Sequence, residues 1–328
     1  MAETAVMEGL GLAYLHGYWA RMLRVPGAPE GPRDLDHALL CGLRVGLLET
    51  MRFLHDTRPN FESFERWIVE RNGGVLDGAT LDRLRRALEG EIVGPEVSLE
   101  GVEGLSADEL RQWDEEGYAV LRAAVPREQA RAAEAAIYEF LGMDPAEPDS
   151  WYGRRLGHSI WVSMVRHPAF WANRRSPRMM KAFAQLWGRE DLWVTVDQGG
   201  LNPPERPGWA FPGPHLHWDT TLAEPHHLGV QGILYLADVA EDQGAFMCVP
   251  GFHRRIKEWM AGLPAGADPR VEGLKIAGAR PIAASAGDMV IWNNLLPHGS
   301  SPNRNTRPRV AQYISMAPTR WAHHEVWM

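Results

Sequence analysis

Two histidines, one aspartate and one arginine have the side chains and spacing to carry out chemistry in this sequence. The stretch Pro214-His215-Leu216-His217-Trp218-Asp219-Thr220 holds the only His-x-Asp in a chain with 13 histidines. On a strand, positions i and i+2 share a face, so His217 and Asp219 would reach one ion together. A second imidazole, His298, closes the segment Gly287-Asp288-Met289-Val290-Ile291-Trp292-Asn293-Asn294-Leu295-Leu296-Pro297-His298, where a Gly-Asp turn opens an apolar run that reads as a strand. Two neutral imidazoles and one carboxylate on one side of a metal leave the opposite positions open, the facial arrangement suited to non-haem Fe(II) and oxygen. Arg309 stands eleven residues beyond His298 and opens Arg309-Val310-Ala311-Gln312-Tyr313-Ile314. Its planar fork suits two-point binding of a carboxylate, as a dicarboxylate co-substrate chelating the iron requires. Taken singly, these residues read as a surface histidine, a turn aspartate and a solvated arginine; their order and offset are what point to a site.

The elements that must position them change in texture near residue 100. Residues 8 to 24 and 34 to 56 carry helical spacing, with Leu35, Leu39, Leu43 and Leu47 on one stripe, separated by the breaker Pro26-Gly27-Ala28-Pro29-Glu30-Gly31-Pro32. Further helices are expected at Phe61 to Arg71 and Thr80 to Glu91, which makes residues 1–100 an all-helical accessory region with a linker at Gly90 to Gly104. Ser106 and Glu109 form a capping box that starts another helix, and Pro126 to Leu141 is an alanine-rich amphipathic one. From Leu192 onward the signals are strand-like: Leu192 to Val196, Val230 to Leu236, Ala245 to Val249, Asp288 to Trp292 and Arg309 to Met316. Short strands with long loops predict an α+β chain in which residues 101–328 build a jelly-roll-like barrel.

The bulk properties narrow the function classes. With 328 residues and 45% hydrophobic content the chain can bury a substantial core, and no run approaches the ~18 uninterrupted apolar residues of a membrane span. A net charge of −8 argues against a nucleic-acid surface. The cysteines Cys41 and Cys248 are too few for a disulfide framework, and the start Met1-Ala2-Glu3-Thr4-Ala5 lacks a basic region followed by an apolar one. A reducing cytoplasm, which also suits Fe(II), is the expected location, with a small-molecule substrate as partner and neither nucleic acid nor membrane.

Four ordered blocks resemble the phytanoyl-CoA dioxygenase family of Fe(II)- and 2-oxoglutarate-dependent oxygenases over roughly residues 105 to 320. They are Leu105-Ser106-Ala107-Asp108-Glu109 running to Tyr118-Ala119-Val120-Leu121; His217-Trp218-Asp219; Tyr235-Leu236-Ala237-Asp238 running through Gly244 to Val249-Pro250-Gly251-Phe252-His253; and the Gly-Asp strand with His298, Gly299, Ser300 and Arg309. The resemblance implies a double-stranded β-helix, with His217, Asp219 and His298 ligating iron and Arg309 pairing with the distal carboxylate of 2-oxoglutarate. Ser300 looks like the hydroxyl that assists that carboxylate. Arg307 is a rival for Arg309, since two residues apart on a strand keeps one face; the spacing from His298 favours Arg309. Halogenating relatives resemble this pattern with a small residue in place of the carboxylate, so Asp219 makes hydroxylation or another oxidation the default. The implied reaction consumes O2 and 2-oxoglutarate, releases succinate and CO2, and oxidises an unactivated C–H bond of a small metabolite or natural-product intermediate.

Around the ligands, His215, Trp209, Phe211, Trp218 and Trp292 are the candidate substrate-facing residues, although tryptophans and phenylalanines are more often core or loop packing. His226 and His227 read as lid residues rather than ligands. The cluster Arg154, Arg155, Arg166, Arg174, Arg175 and Arg178 reads as a solvated helix face. The helical front section is expected to cover the barrel mouth or to mediate a homodimer. Two other classes compete: a barrel that binds a metal or small molecule without catalysis, and a cupin-like metal isomerase or hydrolase. Neither needs a fixed cation eleven residues past the distal histidine.

Overall fold

The structure is a computed structural model that describes residues 9–153 and 159–324. Five helices lead: α1 (Ala13–Met22), α2 (Arg33–Gly42), α3 (Leu47–Thr57), α4 (Phe61–Arg71) and α5 (Gly78–Leu88). Then come α6 (Ala107–Glu116), β1 (Tyr118–Leu121), α7 (Arg127–Leu141), a 3-10 turn at Pro148–Tyr152, β2 (Trp161–Val162), α8 (Pro168–Arg174) and α9 (Pro177–Trp187). The remainder holds β3 (Leu192–Val194), β4 (Gly199–Asn202), β5 (Val230–Tyr235), β6 (Phe246–Cys248), α10 (Phe252–Ala261), α11 (Pro269–Gly273), β7 (Arg280–Pro281), β8 (Met289–Asn293), β9 (His298–Ser300), β10 (Arg309–Tyr313) and β11 (Met316–Pro318).

The chain divides into two compact units. The first takes the chain up to Glu96 together with Glu190–Val196 and Ala317–Trp321. Its helices close on Leu15, Tyr18, Leu39, Leu43, Leu54, Phe64, Ile68 and Leu84, with Trp193 of β3 in the same core. The helical stretch expected over 34–56 is in fact two helices. Arg44 adopts a left-handed φ of 54°, and a Cβ at Gly46 would lie 2.7 Å from the Val196 carbonyl oxygen, so the backbone turns there and only glycine fits. Glu49 then accepts from the Gly46 N–H at 2.9 Å and starts α3. The strand signal at Leu192 to Val196 is real, but β3 pairs with β11 and belongs to neither the six-stranded nor the three-stranded sheet.

The second unit takes Val97–Arg189 and Asp197–Met316, with the segment from Ala322 on. Ser106 and Glu109 cap α6 reciprocally, and Gly117 ends it at φ 80°, which delivers the chain into β1. A six-stranded sheet runs in the order β1-β8-β5-β10-β4-β2 with antiparallel pairing at each step, and a three-stranded antiparallel sheet runs β7-β6-β9. Alternation along the large sheet sends Tyr118, Val120, Ile233, Tyr235, Val290, Trp292 and Ala311 into a core shared with Phe246 and Cys248 of the small sheet. Each such apolar side chain withdrawn from water contributes about 1.5–3 kcal/mol. The outer face is buried as well: a Cβ at Gly232 would meet Phe183 of α9, and one at Gly199 would meet Ile137 of α7. Covered on both faces, these strands read as nearly continuous apolar runs. The result is a mixture of helices and antiparallel sheets, as expected. No helix among the described residues is long and apolar enough to cross a membrane.

Two local expectations need correction. The His217 segment is not a strand; it forms one isolated bridge with β9, where His217 and His298 exchange both backbone hydrogen bonds at 2.9 and 3.0 Å, and the Pro214 carbonyl accepts from the Ser300 N–H at 3.0 Å. In the arginine cluster, Arg154 and Arg155 lie outside the described residues, while Arg174 is 1% exposed and donates to the carbonyls of Val165 and Asp197 at 2.9 and 2.5 Å. It is therefore a buried structural cation and no part of a solvated face.

Candidate metal centre

The bridge between His217 and His298 is what brings two distant parts of the sequence to one point. It depends on Gly299, because a Cβ there would sit 2.5 Å from the carbonyl oxygen of His215. With no side chain at 299, the 214–217 segment lies flat on β9. Asp219 then enters from the bend that follows Trp218 rather than from a pleat.

Both imidazoles are oriented by their own backbone. His217 Nδ1 lies 2.7 Å from the carbonyl oxygen of His215, and His298 Nδ1 lies 3.0 Å from that of Leu296, each two residues upstream. A carbonyl only accepts, so Nδ1 carries the proton in both rings and each Nε2 keeps its lone pair. Those two Nε2 atoms face one carboxylate: His217 Nε2 is 3.4 Å from Asp219 Oδ1, and His298 Nε2 is 3.3 Å from Asp219 Oδ2. One donor atom from each residue lies within 4.8 Å of the others. Donors about 2.1 Å from an ion at right angles stand about 3 Å apart, so this triangle suits a single metal on one face. Gln231 of β5 donates to Asp219 Oδ2 at 2.9 Å, the oxygen that also faces His298, and helps to orient the carboxylate.

The electrostatics agree with an anionic aspartate. Burial alone would push the Asp219 carboxyl up, but imidazoles that also carry a proton on Nε2 donate to it and hold it well below the usual carboxylate range; an ion between them would take the place of those protons. Burial likewise pulls the His217 imidazole down, and the bond and charge of Asp219 reverse this, leaving it raised.

Arg309 is 0% exposed. Its Nε donates to the Gly244 carbonyl at 3.1 Å, Nη2 to Ser300 Oγ at 3.2 Å and Nη1 to the Tyr313 hydroxyl at 3.3 Å. Among the described residues no carboxylate lies within ion-pair distance of it, so a fully buried positive charge waits for an anion. Gly200 keeps the space beside it open: a Cβ there would sit 3.1 Å from the Tyr313 ring and 3.6 Å from Arg309 Nη1. Ser300 stands two residues after His298 on β9, which ties the cation to the metal triangle. Arg307, the rival, is exposed. The two-residue rule fails for it because β10 begins only at Arg309; Pro308 has no N–H for the ladder, and its carbonyl is taken by Gln243 at 3.1 Å.

The substrate candidates separate. Trp292 is buried with its ring 5.1 Å from that of His298 and 4.4 Å from Phe246, so it walls the metal cluster. His215 is exposed, meets Phe211 edge-on at 5.5 Å and holds His217 through its carbonyl. Trp209 is buried against Tyr152 at 5.9 Å, in the segment that leads to the ligands. Trp218 departs from expectation: its indole donates to Leu295 O at 2.9 Å and its ring packs on Phe252 and Trp259, in the core. It alternates away from the ligands on either side of it. Sequence reading missed Gln231 and Tyr313; the signal for the first was a lone amide at an inward position of an otherwise apolar strand.

Two histidines and a carboxylate that converge on one point are the donor set suited to a non-haem Fe(II) centre with open positions. Residues 113–311 match the phytanoyl-CoA dioxygenase family (PhyH), and this chain belongs to that family, which works with Fe(II), 2-oxoglutarate and O2. A Dictyostelium discoideum protein bearing the phytanoyl-CoA dioxygenase name is 26% identical over 189 residues, 46% of this chain and 54% of its own length, so the chain spans about half of that relative. Ava biosynthesis cluster protein O of Aspergillus versicolor is 25% identical over 241 residues, 64% of this chain and 77% of its own. Among solved structures, the non-haem alpha-ketoglutarate-dependent carbocyclase SnoK from nogalamycin biosynthesis aligns at 19% identity over 70% of this chain and 89% of its own, with a TM-score of 0.48. HygX from Streptomyces hygroscopicus, solved with nickel and 2-oxoglutarate, aligns at 15% identity over 66% of this chain and 88% of its own, with a TM-score of 0.48.

Proposed function

We propose that this chain is a 2-oxoglutarate-dependent non-haem iron dioxygenase in which His217 Nε2, Asp219 and His298 Nε2 hold Fe(II) and Arg309 takes the distal carboxylate of 2-oxoglutarate. The observation that carries the reading is Arg309 itself, fully buried without a carboxylate partner among the described residues and joined through Ser300 to the strand that bears His298. A binding barrel, or a cupin-like isomerase or hydrolase, does not require that charge. The two packed sheets are read as the family's double-stranded β-helix, with its interior as the active site.

Bound iron supplies oxygen activation, and the overall stoichiometry is substrate C–H, O2 and 2-oxoglutarate going to oxidised substrate, succinate and CO2. The protein's own part is positional. The His215 and Leu296 carbonyls fix the imidazole tautomers, Gln231 fixes the carboxylate, and Ser300 and Tyr313 steer the guanidinium fork. Phe246 and Trp292 keep water from the face they cover. Because Asp219 occupies the third protein position, oxygen insertion or another C–H oxidation is favoured over halide transfer. The substrate class is a small metabolite or natural-product intermediate; the Aspergillus relative, named for a biosynthesis cluster, supports the latter.

The test is spectroscopic. Purified protein with Fe(II), kept anaerobic, should develop a weak visible absorption on addition of 2-oxoglutarate, and admission of O2 with a substrate panel should release succinate. Iron-loaded, folded protein that shows no band would overturn the assignment.

A further inference from the structure

A cavity of about 280 Å³ lies in the larger unit on the opposite side of the large sheet from His217, Asp219 and His298. The two sides are fixed by neighbouring glycines of β4: a Cβ at Gly200 would meet Tyr313 beside Arg309, and one at Gly199 would meet Ile137 of α7. Helix α7 supplies one wall of this cavity with Arg131, Glu134 and Tyr138, whose spacing of three and four places them on one face. Arg307, the segment from Leu236 to Asp238 and Trp151 complete the lining.

Parts of the wall are held in place. Asp238 takes the Ala286 N–H at 2.9 Å and pairs with Arg127, while the Trp151 indole donates to Asp144 O at 3.0 Å. The groups that face the space are left open. Among the described residues neither the Arg131 nor the Arg307 guanidinium makes a hydrogen bond or a close ion pair, although both lie near enough to Glu134 to lower its carboxyl, and each offers five N–H donors. Tyr138 is 5% exposed, yet its hydroxyl has no partner there either. Burial pushes the Tyr138 phenol up, so it stays a donor; burial also raises the Glu134 carboxyl, against the two guanidiniums that lower it. With Asp238 engaged by Arg127, two guanidiniums and a phenol face the single carboxylate of Glu134, an excess of donors and positive charge that suits an oxyanion. The volume is about nine times the ~30 Å³ share of one water, and two aromatic rings line it, so an organic body fits behind the anionic group.

We propose that this cavity is a second binding site, separate from the iron centre, for a small organic oxyanion such as a phosphate monoester or a carboxylate, gripped by Arg131 and Arg307 with Tyr138 as a third donor. It does not depend on the iron chemistry above.

The test is calorimetric titration of the full chain with phenyl phosphate, inorganic phosphate and benzoate. Phenyl phosphate is expected to bind one equivalent and inorganic phosphate more weakly; the benzoate arm tells a phosphate site from a carboxylate site. The variant R131Q/R307Q, altered only at exposed positions, should lose at least about tenfold in affinity, and Y138F should lose a smaller factor. R309A, checked for folding by its melting curve, should bind as the parent does. Absence of binding of all three probes to the parent, equal affinity in R131Q/R307Q, or loss confined to R309A would overturn the proposal.

Discussion

Arg309 and Arg307 leave the chain two positions apart and finish in opposite surroundings. Arg309 is sealed between the sheets with its donors spread over Gly244, Ser300 and Tyr313, and Arg307 is exposed at the rim of the outer cavity beside α7. The difference shows what burial does to the meaning of a cation. An exposed arginine is satisfied by water and costs little unpaired, whereas a sealed one without a counter-charge is tolerable only where an anion arrives. The interior is also the pre-set region: its imidazoles are locked by their own backbone, while the outer cavity offers side chains that have yet to be engaged.

The largest expected effect is at the metal triangle. Asp219→Ala removes one of three donors and the only negative one, so Fe(II) or Mn(II) affinity should fall by about 100-fold or more and succinate formation should vanish. Full turnover by this variant would erase the contrast between a built interior and an open exterior. Next comes the arginine pair itself. Arg309→Ala should weaken 2-oxoglutarate binding by roughly 10- to 150-fold, from a charge-assisted contact of about 1.5–3 kcal/mol, with a much smaller change in metal affinity. Arg307→Ala should leave both within about twofold. Equal losses in the two variants, read by titration under anaerobic conditions, would mean that burial does not decide which arginine serves the co-substrate.

Gln231→Leu sharpens the interior side further. The amide touches Asp219 and no proposed substrate contact, so its removal should cost about tenfold in metal affinity while the 2-oxoglutarate affinity of the loaded protein stays near that of the parent. Unchanged metal binding would reduce Gln231 to a packing residue.

These residues also mark how far the sequence could be read. The convergence of His217, Asp219 and His298 was legible because residue types and their order are carried by the chain itself. The α+β mixture was legible from periodicity, and the capping box at Ser106 from four residues. What was hidden depends on contacts made across the fold. Whether Trp218 faces the substrate or the core turns on Leu295 and Phe252, far along the chain, and the His217 segment needs no strand because Gly299 lets it lie on β9. The break between α2 and α3 was missed because Val196, distant in sequence, presses on Gly46. Arg307 was placed on the Arg309 face because a pleat was assumed through Pro308.

The smallest effect tests the exterior. Glu134 sits between Arg131 and Arg307 and Asp238, and burial raises its carboxyl above the ordinary value of 4.5 despite the two guanidiniums, which lower it. A group whose folded pKa exceeds its unfolded one adds stability below the unfolded value and loses it as pH rises through the folded one. Ionised Glu134 therefore costs stability at neutral pH. Glu134→Gln should melt higher than the parent at pH 7, with the gap closing as pH falls toward 4. A gap that stays constant from pH 4 to 8, or a variant that melts lower at pH 7, would show that the guanidiniums already neutralise this carboxylate, and the outer cavity would then resemble the satisfied interior instead of standing against it.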